Sequence, residues 1–253
     1  MRPIIAIANQ KGGVGKTTTA VNLSAALALA GTEATLVDLD PQANATSGMG
    51  CDLLADSKVH PLLASEGLAG WPVATAIPTL KVLPASPKLL NVESELSRHA
   101  DGATRLRGVL SGSLLDMGVV VVDCPPSLGL LTRNALNAAT AVLIPIQCEY
   151  FAMEGLTRII GVVDEVRRSD NASLKVAGIL LTMFDPGLEL SREVVSEVRG
   201  YFPEEVYHTI IPRDVALSEA SSHGQPVFEY APRSPGALAY LELAREVMTN
   251  GRS

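Results

Sequence analysis

The chain has 253 residues, enough for one domain with a single core or at most two small domains. Hydrophobic residues make up 47% of it, which excludes an intrinsically disordered chain, and aromatic residues make up only 4%, which predicts an aliphatic core. The formal net charge of −7 excludes a surface that is basic all over, but it leaves room for a local basic patch.

The cysteines and the hydropathy favour a cytoplasmic protein. Cys51, Cys124 and Cys148 are widely spaced and odd in number, so they form neither a disulfide framework nor a CxxC metal knuckle. The apolar run at the start is shorter than a signal peptide requires, and no uninterrupted apolar run reaches the roughly 18 residues of a membrane span. We therefore expect a protein of the cytoplasm with no membrane partner.

Short β-branched runs alternate with longer helical patterns, which predicts βαβ units and a parallel sheet. In chain order, the predicted strands are residues 3–9, 34–40, 80–83, 118–123, 141–146, 176–183 and 206–211. The predicted helices are residues 16–30, 128–138, 152–168, 190–201 and 236–248. Residues 43–87 are predicted to form loops and short helices on the sheet. The prediction is one doubly wound α/β domain over residues 1–253, with a mostly parallel sheet of about seven strands.

A glycine-rich segment lies between the first predicted strand and its helix, where a phosphate-binding loop has to lie. Its glycines let the backbone curl so that N–H groups point at a phosphate, and the helix N-terminus adds partial positive charge. Lys16 is expected to reach the β- and γ-phosphates of ATP, and the Thr17 hydroxyl to bind Mg²⁺. The residues predicted to hold the nucleotide here are Lys11, Gly12, Gly13, Val14, Gly15, Lys16, Thr17 and Thr18.

This loop departs from the usual G-x-x-x-x-G-K-[ST] pattern, because Gln10 stands where the first glycine belongs. A second lysine, Lys11, precedes the glycine pair and gives the deviant pattern K-G-G-x-G-K-T. A lysine in this position can extend away from its own site and neutralise phosphate charge across a dimer interface. The pattern therefore predicts a deviant P-loop in which ATP joins two subunits face to face, with Lys11 and Lys16 both acting on phosphate.

Three aspartates lie at the ends of predicted strands, at the sheet edge where α/β proteins bind ligands. Asp123 ends the most apolar strand and is the predicted Walker B carboxylate, which holds Mg²⁺ through water. Asp40 is the predicted catalytic carboxylate, which positions or polarises the attacking water. Asp38 is predicted to support the metal shell, so the predicted metal-binding residues are Thr17, Asp123 and Asp38.

Five segments together are more specific than any one motif. They are NQKGGVGKTTT at residues 9–19, VDLDPQANAT at 37–46, DCPPS at 123–127, EYFAMEG at 149–155 and IPRDVALSEA at 211–220. As a set they resemble the ParA/Soj family of chromosome- and plasmid-partitioning ATPases, and the resemblance covers nearly the whole chain. It implies a slow Mg²⁺-dependent ATPase whose ATP-bound sandwich homodimer binds DNA without sequence preference. It also implies a ParB-type partner that stimulates hydrolysis.

The resemblance also assigns roles to single residues. Lys11 corresponds to the signature lysine, Asp40 to the hydrolysis aspartate, and Pro212 and Asp214 to residues that line the adenine. The family usually has asparagine at the position of Asp214. Family members often carry arginine in the segment that corresponds to residues 186–189 and at the position of Ala216, where this chain has no basic residue.

Phosphate contacts need lysine or arginine, so these departures bear on DNA binding. The remaining candidates for DNA contact are Arg167, Arg168, Lys175, Arg192, Arg199, Arg213 and Arg233. We therefore expect nonspecific binding to double-stranded DNA that is weak and strongly salt-sensitive, by a protein associated with the nucleoid.

Other functions of deviant-loop proteins stay open as alternatives. A MinD-type ATPase, which acts on a membrane surface, ends in a basic amphipathic tail. Residues 237–248 instead carry an apolar stripe that is predicted to face the core, at Leu238, Leu241, Ala244 and Val247. A small-molecule ligase needs a second substrate pocket and an iron protein needs cluster cysteines, and the sequence shows a motif for neither.

Overall fold

One sheet contains all the strands of the described residues, with helices between most of them. The structure, a computed structural model, describes residues 3–53, 72–86, 88–111 and 118–250. The strands are β1 (Ile4–Ile7), β2 (Ala34–Asp38), β3 (Val73–Ala74), β4 (Leu80–Leu83), β5 (Val119–Asp123), β6 (Ala141–Gln147), β7 (Lys175–Phe184) and β8 (Val206–Pro212). The helices are α1 (Lys16–Leu29), α2 (Asn44–Gly48), α3 (Leu89–Leu96), α4 (Arg105–Ser111), α5 (Leu130–Ala138), α6 (Ala152–Ser169), α7 (Glu189–Tyr201), α8 (Val215–Ser222), α9 (Val227–Tyr230) and α10 (Pro235–Asn250).

The strands lie in the order β3-β4-β2-β5-β1-β6-β7-β8, and every neighbouring pair is parallel except β3–β4. Each predicted strand is present, with ends within two residues of the prediction. The predicted fold class, a doubly wound α/β domain with a mostly parallel sheet, is therefore confirmed. The sequence pattern does not predict β3, because two residues are too few to show the period of a strand.

Helices cover both faces of the sheet, since the central strand β5 buries side chains on both sides. Val120 and Val122 join one cluster of buried residues, and Val121 between them joins the other. The first cluster contains residues of α3 to α7, and the second contains residues of α1, α2, α8, α9 and α10. Strands buried on both faces read as continuous apolar runs, which is why the valine run of β5 is so clear in the sequence.

The position of β1 determines where a ligand can bind. β1 lies between β5 and β6, and the chain crosses from one side of β1 to the other when it passes from β5 to β6. At such a switch point, α/β proteins bind ligands in the crevice outside the carboxyl ends of the strands. Asp38 and Asp123 end the neighbouring strands β2 and β5 and are direct partners in the register of that pair.

The region predicted as loops and short helices, residues 43–87, is described only in part. It contains α2, β3 and β4, while residues 54–71 and 87 lie outside the described chain. Helix α2 begins after Ala43, whose φ of 56° is left-handed, and contacts β2. This short helix therefore lies beside the carboxyl end of β2, next to the predicted site.

The buried face of α10 differs from the predicted stripe. Leu238 is 52% exposed, so its prediction as a core residue is wrong, whereas the rest of the stripe lies in or against the core. The buried side chains of α10 are Ala237, Tyr240, Leu243 and Ala244. The hydroxyl of Tyr240 lies 3.1 Å from Oγ1 of Thr19 on α1, and burying this tyrosine turns Leu238 towards solvent. In the described part of the chain, no helix is both long and apolar enough to cross a bilayer.

Gly31 and Gly118 both have left-handed backbone angles, but only Gly118 is closely packed. Alanine substitutions at the two positions therefore distinguish the cost of backbone strain from the cost of steric overlap. Gly31, which follows α1, has a φ of 85° and open space around it. Gly118, which precedes β5, has a φ of 58°, and a Cβ atom there would lie 1.8 Å from the backbone oxygen of Glu33. We expect Gly31→Ala to destabilise the fold by about 1 to 2 kcal/mol through backbone strain alone.

Gly118→Ala is expected to lose about 1 to 3 kcal/mol more, because β5 has to move away from Glu33. Urea unfolding of both variants, followed by circular dichroism, measures the two losses. Equal losses would show that the approach of β5 to Glu33 is not tight.

Candidate functional site

The loop between β1 and α1 curls at two glycines. Gly13 and Gly15 have φ angles of 75° and 85°, which glycine adopts without strain. Gly12 and Gly13 are exposed and Val14 is buried, so the loop offers backbone on its outer side. Helix α1 begins at Lys16 without a side-chain cap. A helix leaves its first N–H groups without partners inside the helix, and at this edge of the sheet they can bind a phosphate.

Lys16 closes this loop from the inside. Only 6% of the residue is exposed, and its Nζ donates a 2.9 Å hydrogen bond to the backbone oxygen of Lys11. Burial lowers the pKa of Lys16, while Asp123, Cys124 and Asp40 raise it. The ammonium group thus spans the loop next to two carboxylates, a position that suits the predicted contact with phosphate.

Asn9 and Thr182, which sequence analysis does not predict as site residues, fix the phosphate loop by hydrogen bonds. Asn9 donates from Nδ2 to the backbone oxygen of Pro145 at 2.8 Å and accepts from the N–H of Lys11 at 3.0 Å. Thr182, in β7, lies with its hydroxyl 2.9 Å from the backbone oxygen of Val14. These side chains tie the loop to β6 and β7. Asn9 lies inside the first family segment, whereas no local pattern marks Thr182.

Asp123 has a buried carboxylate with no hydrogen-bond partner among the described residues. Burial raises the pKa of Asp123 well above its usual range, and the neighbouring Asp38 and Asp40 raise it further. The nearby hydroxyl of Thr17, which does not reach hydrogen-bond geometry with the carboxylate, and the ammonium of Lys16 lower the pKa of Asp123. A buried carboxylate without a partner is destabilising, so this arrangement suits a cation that compensates the charge.

Magnesium fits the groups around Asp123. Mg²⁺ usually keeps several waters and takes one or two carboxylates together with the phosphates of its substrate. Asp123 and the half-buried Thr17 provide that part of a site at the end of the phosphate loop. Within the described ranges, no three His, Cys, Asp or Glu side chains form a metal-binding group by themselves. The residues therefore suit a metal that arrives with a nucleotide.

Asp38 differs from its neighbour because both of its oxygens accept hydrogen bonds. Oδ1 accepts from the N–H of Asp40 at 3.0 Å, and Oδ2 accepts from the N–H and the hydroxyl of Thr46 at 2.8 and 2.7 Å. The Thr46 hydroxyl in turn accepts from the N–H of Ala85. Burial raises the pKa of Asp38, and these hydrogen bonds lower it. In this arrangement Asp38 holds the loop that carries Asp40, and its support of a metal shell stays a prediction.

Asp40 lies close to Lys16 and Asp123 and is 6% exposed. Its Oδ1 accepts a 2.9 Å hydrogen bond from the N–H of Gln42. The turn continues through Ala43, whose left-handed backbone is uncommon for a residue with a side chain. The carboxylate is thus fixed by its own turn, close to Lys16 and Asp123, and its role toward an attacking water stays a prediction.

Pro212 and Asp214, the predicted adenine contacts, lie at the end of β8. This strand is three places from β1 in the sheet, or about 14 Å away, which a nucleotide can bridge. The carboxylate of Asp214 accepts from the N–H groups of Ala216 and Gly236, at 3.0 and 2.8 Å. It therefore caps α8 and ties it to the start of α10. Contact of Pro212 or Asp214 with adenine stays a prediction.

The remaining predicted residues lie around the opening of the loop. Thr18 is half-buried in the first turn of α1, and its backbone oxygen accepts from Asn22 at 2.8 Å. Lys11 has a side chain that is 34% exposed and lies 3.5 Å from the carboxylate of Glu149. The structure thus brings Lys16, Asp123 and the other strand-end carboxylates together and leaves Lys11 at the rim.

The charge of Asp123 yields a stability prediction. Because its pKa is raised on folding, the wild-type chain loses stability as the pH rises from about 3.9, the unfolded value, towards the raised folded value. Asp123→Asn removes this loss. With EDTA present, the variant is expected to gain about 1 kcal/mol or more at neutral pH, with a gap that does not shrink from pH 5 to pH 8.

Urea unfolding across that pH range measures the gap. The control is Asp101→Asn, since the exposed carboxylate of Asp101 accepts from Arg105 and its pKa is lowered, so no gain is expected there. A loss of stability in Asp123→Asn would mean that the carboxylate has a partner in the folded protein.

Comparison with known proteins agrees with the resemblance expected from the sequence. A family model described as an AAA domain matches residues 2–176. The chain is 47% identical over 253 residues to the sporulation initiation inhibitor protein Soj of Bacillus subtilis, covering 99% of this chain and 100% of that protein. It is also 47% identical over 244 residues to the chromosome-partitioning ATPase Soj of Thermus thermophilus, covering 96% of this chain and 94% of that one.

A solved structure also matches over the whole chain. Cobyrinic acid a,c-diamide synthase from Mycobacterium smegmatis, with bound ADP and magnesium, has a TM-score of 0.87 and 35% identity, covering 100% of this chain and 96% of that one. Identity to the two Soj proteins is higher, at 47%, and extends over nearly the full length of each. Identity at this level shows that the chain belongs to the ParA/Soj family of chromosome-partitioning ATPases.

Proposed function

We propose that this ATPase is a switch for chromosome or plasmid partitioning in which Mg-ATP joins two copies, the dimer binds DNA, and hydrolysis separates the copies. The whole of residues 1–253 would act as one ATPase domain. The observation that carries the proposal is the buried carboxylate of Asp123, which has no hydrogen-bond partner among the described residues and lies close to the buried Lys16 of the phosphate loop. The magnesium and ADP bound by the cobyrinic acid a,c-diamide synthase support a Mg-nucleotide at the same place in the fold.

Each group of the site has one task in this proposal. Lys16 and the N–H groups of the loop hold the phosphates, with Thr17 and Asp123 beside the metal. Magnesium, when bound, neutralises phosphate charge that develops during transfer. Asp40 orients the attacking water with the carboxylate oxygen that Gln42 does not occupy. Asp38 keeps Asp40 in position through its hydrogen bonds to the intervening loop.

The surface around the loop supports a second copy as the partner. Exposed apolar side chains follow β6, β7 and β8 at the same edge of the sheet as the phosphate loop. They are Tyr150, Phe151, Leu188 and Val215, which are 78%, 59%, 50% and 69% exposed. Apolar groups gathered at one place commonly mark an interface. A second copy facing this edge would cover them and bring its own Lys11 towards the nucleotide.

Basic side chains at the same edge are the best candidates for DNA contact. Arg192 lies in the first turns of α7, which follows β7 at this edge. Arg233 lies just before α10, and the hydrogen bond from Gly236 of α10 to Asp214 places the start of that helix at the end of β8. Arg167 and Arg168, by contrast, end α6 at the opposite edge, where they bond to Asp164. The arginines at the nucleotide edge would come together only when two copies face each other, so ATP would control DNA binding.

A ParB-type partner and a place on the nucleoid in the cytoplasm complete the proposal. Membership of the ParA/Soj family supports both. Stimulation by such a partner would act on the slow hydrolysis step and so shorten the life of the DNA-bound dimer. Each ATP cycle would then serve to change what the protein binds, and the amount of ADP formed would not matter. A slow enzyme suits such a role.

Asp40→Ala is expected to keep ATP binding and to lose hydrolysis by about 100-fold or more, because no carboxylate orients the water. The variant should therefore accumulate as a dimer with Mg-ATP and stay monomeric with ADP. Phosphate release and light scattering after gel filtration measure the two effects. Asp185→Ala, at the end of β7 on the same edge, is the control and should hydrolyse ATP like wild type. Rapid turnover by Asp40→Ala would show that the aspartate is misassigned.

DNA binding by the Asp40→Ala protein is expected with Mg-ATP and not with ADP, and it should fall steeply as salt rises. Fluorescence anisotropy with a nonspecific duplex gives the slope of log K against log salt. Arg233→Gln should reduce this slope by about 0.9, the value of one phosphate contact, whereas Arg168→Gln should leave it unchanged. No binding at low salt by an ATP-dependent dimer would contradict the DNA part, and binding to anionic vesicles instead would favour a MinD-type function.

A further inference from the structure

Glu149 lies between two cations at the opening of the phosphate loop. Its Oε2 is 3.5 Å from Nζ of Lys11, and its Oε1 is 4.0 Å from a guanidinium nitrogen of Arg213. Gln147 steadies the carboxylate by donating from Nε2 to Oε1. The side chains of Lys11, Glu149 and Arg213 are 34%, 46% and 56% exposed, so each can change its direction without being dehydrated.

The backbone of Lys11 is held while its side chain is not. Asn9 accepts from the N–H of Lys11 at 3.0 Å, and Lys16 donates to its backbone oxygen at 2.9 Å. Both peptide groups of Lys11 are therefore fixed to the inner part of the loop. The side chain of Lys11, by contrast, can point either towards Glu149 of its own subunit or away from the subunit. Its ion pair with Glu149 favours the first direction.

On the basis of the proposed function above, we propose that Glu149 is a positioning residue that keeps the side chain of Lys11 on its own subunit and so opposes dimerisation. In the dimer, Lys11 leaves Glu149 for the phosphates of the facing copy, and Arg213 becomes the main counter-ion of Glu149. Because Arg213 is already 4.0 Å away, the carboxylate is not left without a cation when Lys11 departs. The exchange is thus easily reversed, as a switch requires.

The size of the effect follows from the exposure of the pair. An ion pair between exposed side chains changes an equilibrium by about two- to fivefold. It also weakens with salt, because the screening length falls to about 3 Å at 1 M salt. Glu149 should therefore set a modest, salt-sensitive threshold for ATP-driven dimerisation, on top of the much larger contribution of the nucleotide itself.

Glu149→Gln tests the proposal, since it keeps the shape of the side chain and removes the charge. In the Asp40→Ala background with Mg-ATP, sedimentation velocity should show a dimer that is about two- to fivefold tighter at low salt, with no difference near 1 M salt. Glu165→Gln is the matched control, because Glu165, on α6, forms an exposed ion pair with Arg133 on α5. That control should leave the dimer constant unchanged. A dimer that is unchanged or weaker in Glu149→Gln overturns the proposal.

Arg213→Gln tests the exchange of counter-ions. With Glu149 present, the variant should weaken the dimer by about two- to fivefold, because the carboxylate then has only Lys11 as a cation. With Glu149→Gln in the same chain, Arg213→Gln should have no effect. Equal weakening in both backgrounds would assign Arg213 directly to the nucleotide or the interface and would overturn its part in the exchange.

A second readout separates this proposal from the proposed function. Acetylation of Lys11 by acetic anhydride, followed by mass spectrometry without nucleotide, should be about two- to fivefold faster in Glu149→Gln and slower in Arg213→Gln. If no dimer forms with Mg-ATP, the proposed function fails and the opposing role of Glu149 fails with it. If the dimer forms but neither acetylation nor dimerisation responds to Glu149→Gln, only the present proposal fails.

Discussion

Asp38 and Asp123 are direct partners in the sheet but differ in their hydrogen bonding, and the rest of the site depends on this difference. Asp38 accepts hydrogen bonds at both oxygens, whereas the buried carboxylate of Asp123 accepts none from the described residues. The parallel register of β2 and β5 forces them together, and Lys16 is the cation beside Asp123. One carboxylate can therefore serve the loop, while the other is left to bind a metal. Neighbouring carboxylates with different environments commonly divide their roles in this way.

The site also divides into a rigid interior and a movable rim. Asn9 and Thr182 bind the backbone of the phosphate loop to β6 and β7, and Asp38 with Thr46 binds the loop of Asp40. The charged side chains at the opening are half-exposed and are joined to one another by ion pairs. A fixed interior suits hydrolysis, which needs fixed geometry, and a movable rim suits assembly and separation of two copies.

The fold could be predicted because buried parallel strands leave continuous aliphatic runs, as the valines of β5 do. The phosphate loop could be predicted because its glycines and Lys16 serve a chemistry that needs those residue types at that spacing. The supporting groups could not, since Thr182 acts through a hydrogen bond to Val14 across 168 positions of sequence, which no local pattern reveals. The prediction for Leu238 is wrong for a similar reason, because the contact of Tyr240 with α1 sets the rotation of α10.

The central claim is that Asp123 is kept without a protein partner in order to hold magnesium with ATP. The most direct test is the affinity of a fluorescent ATP analogue for the wild-type chain and for Asp123→Asn, each with Mg²⁺ and with EDTA. The account predicts that Mg²⁺ strengthens binding to wild type by about tenfold or more, equivalent to about 1.4 kcal/mol, and that Asp123→Asn loses this gain. An equal gain in both proteins would contradict it.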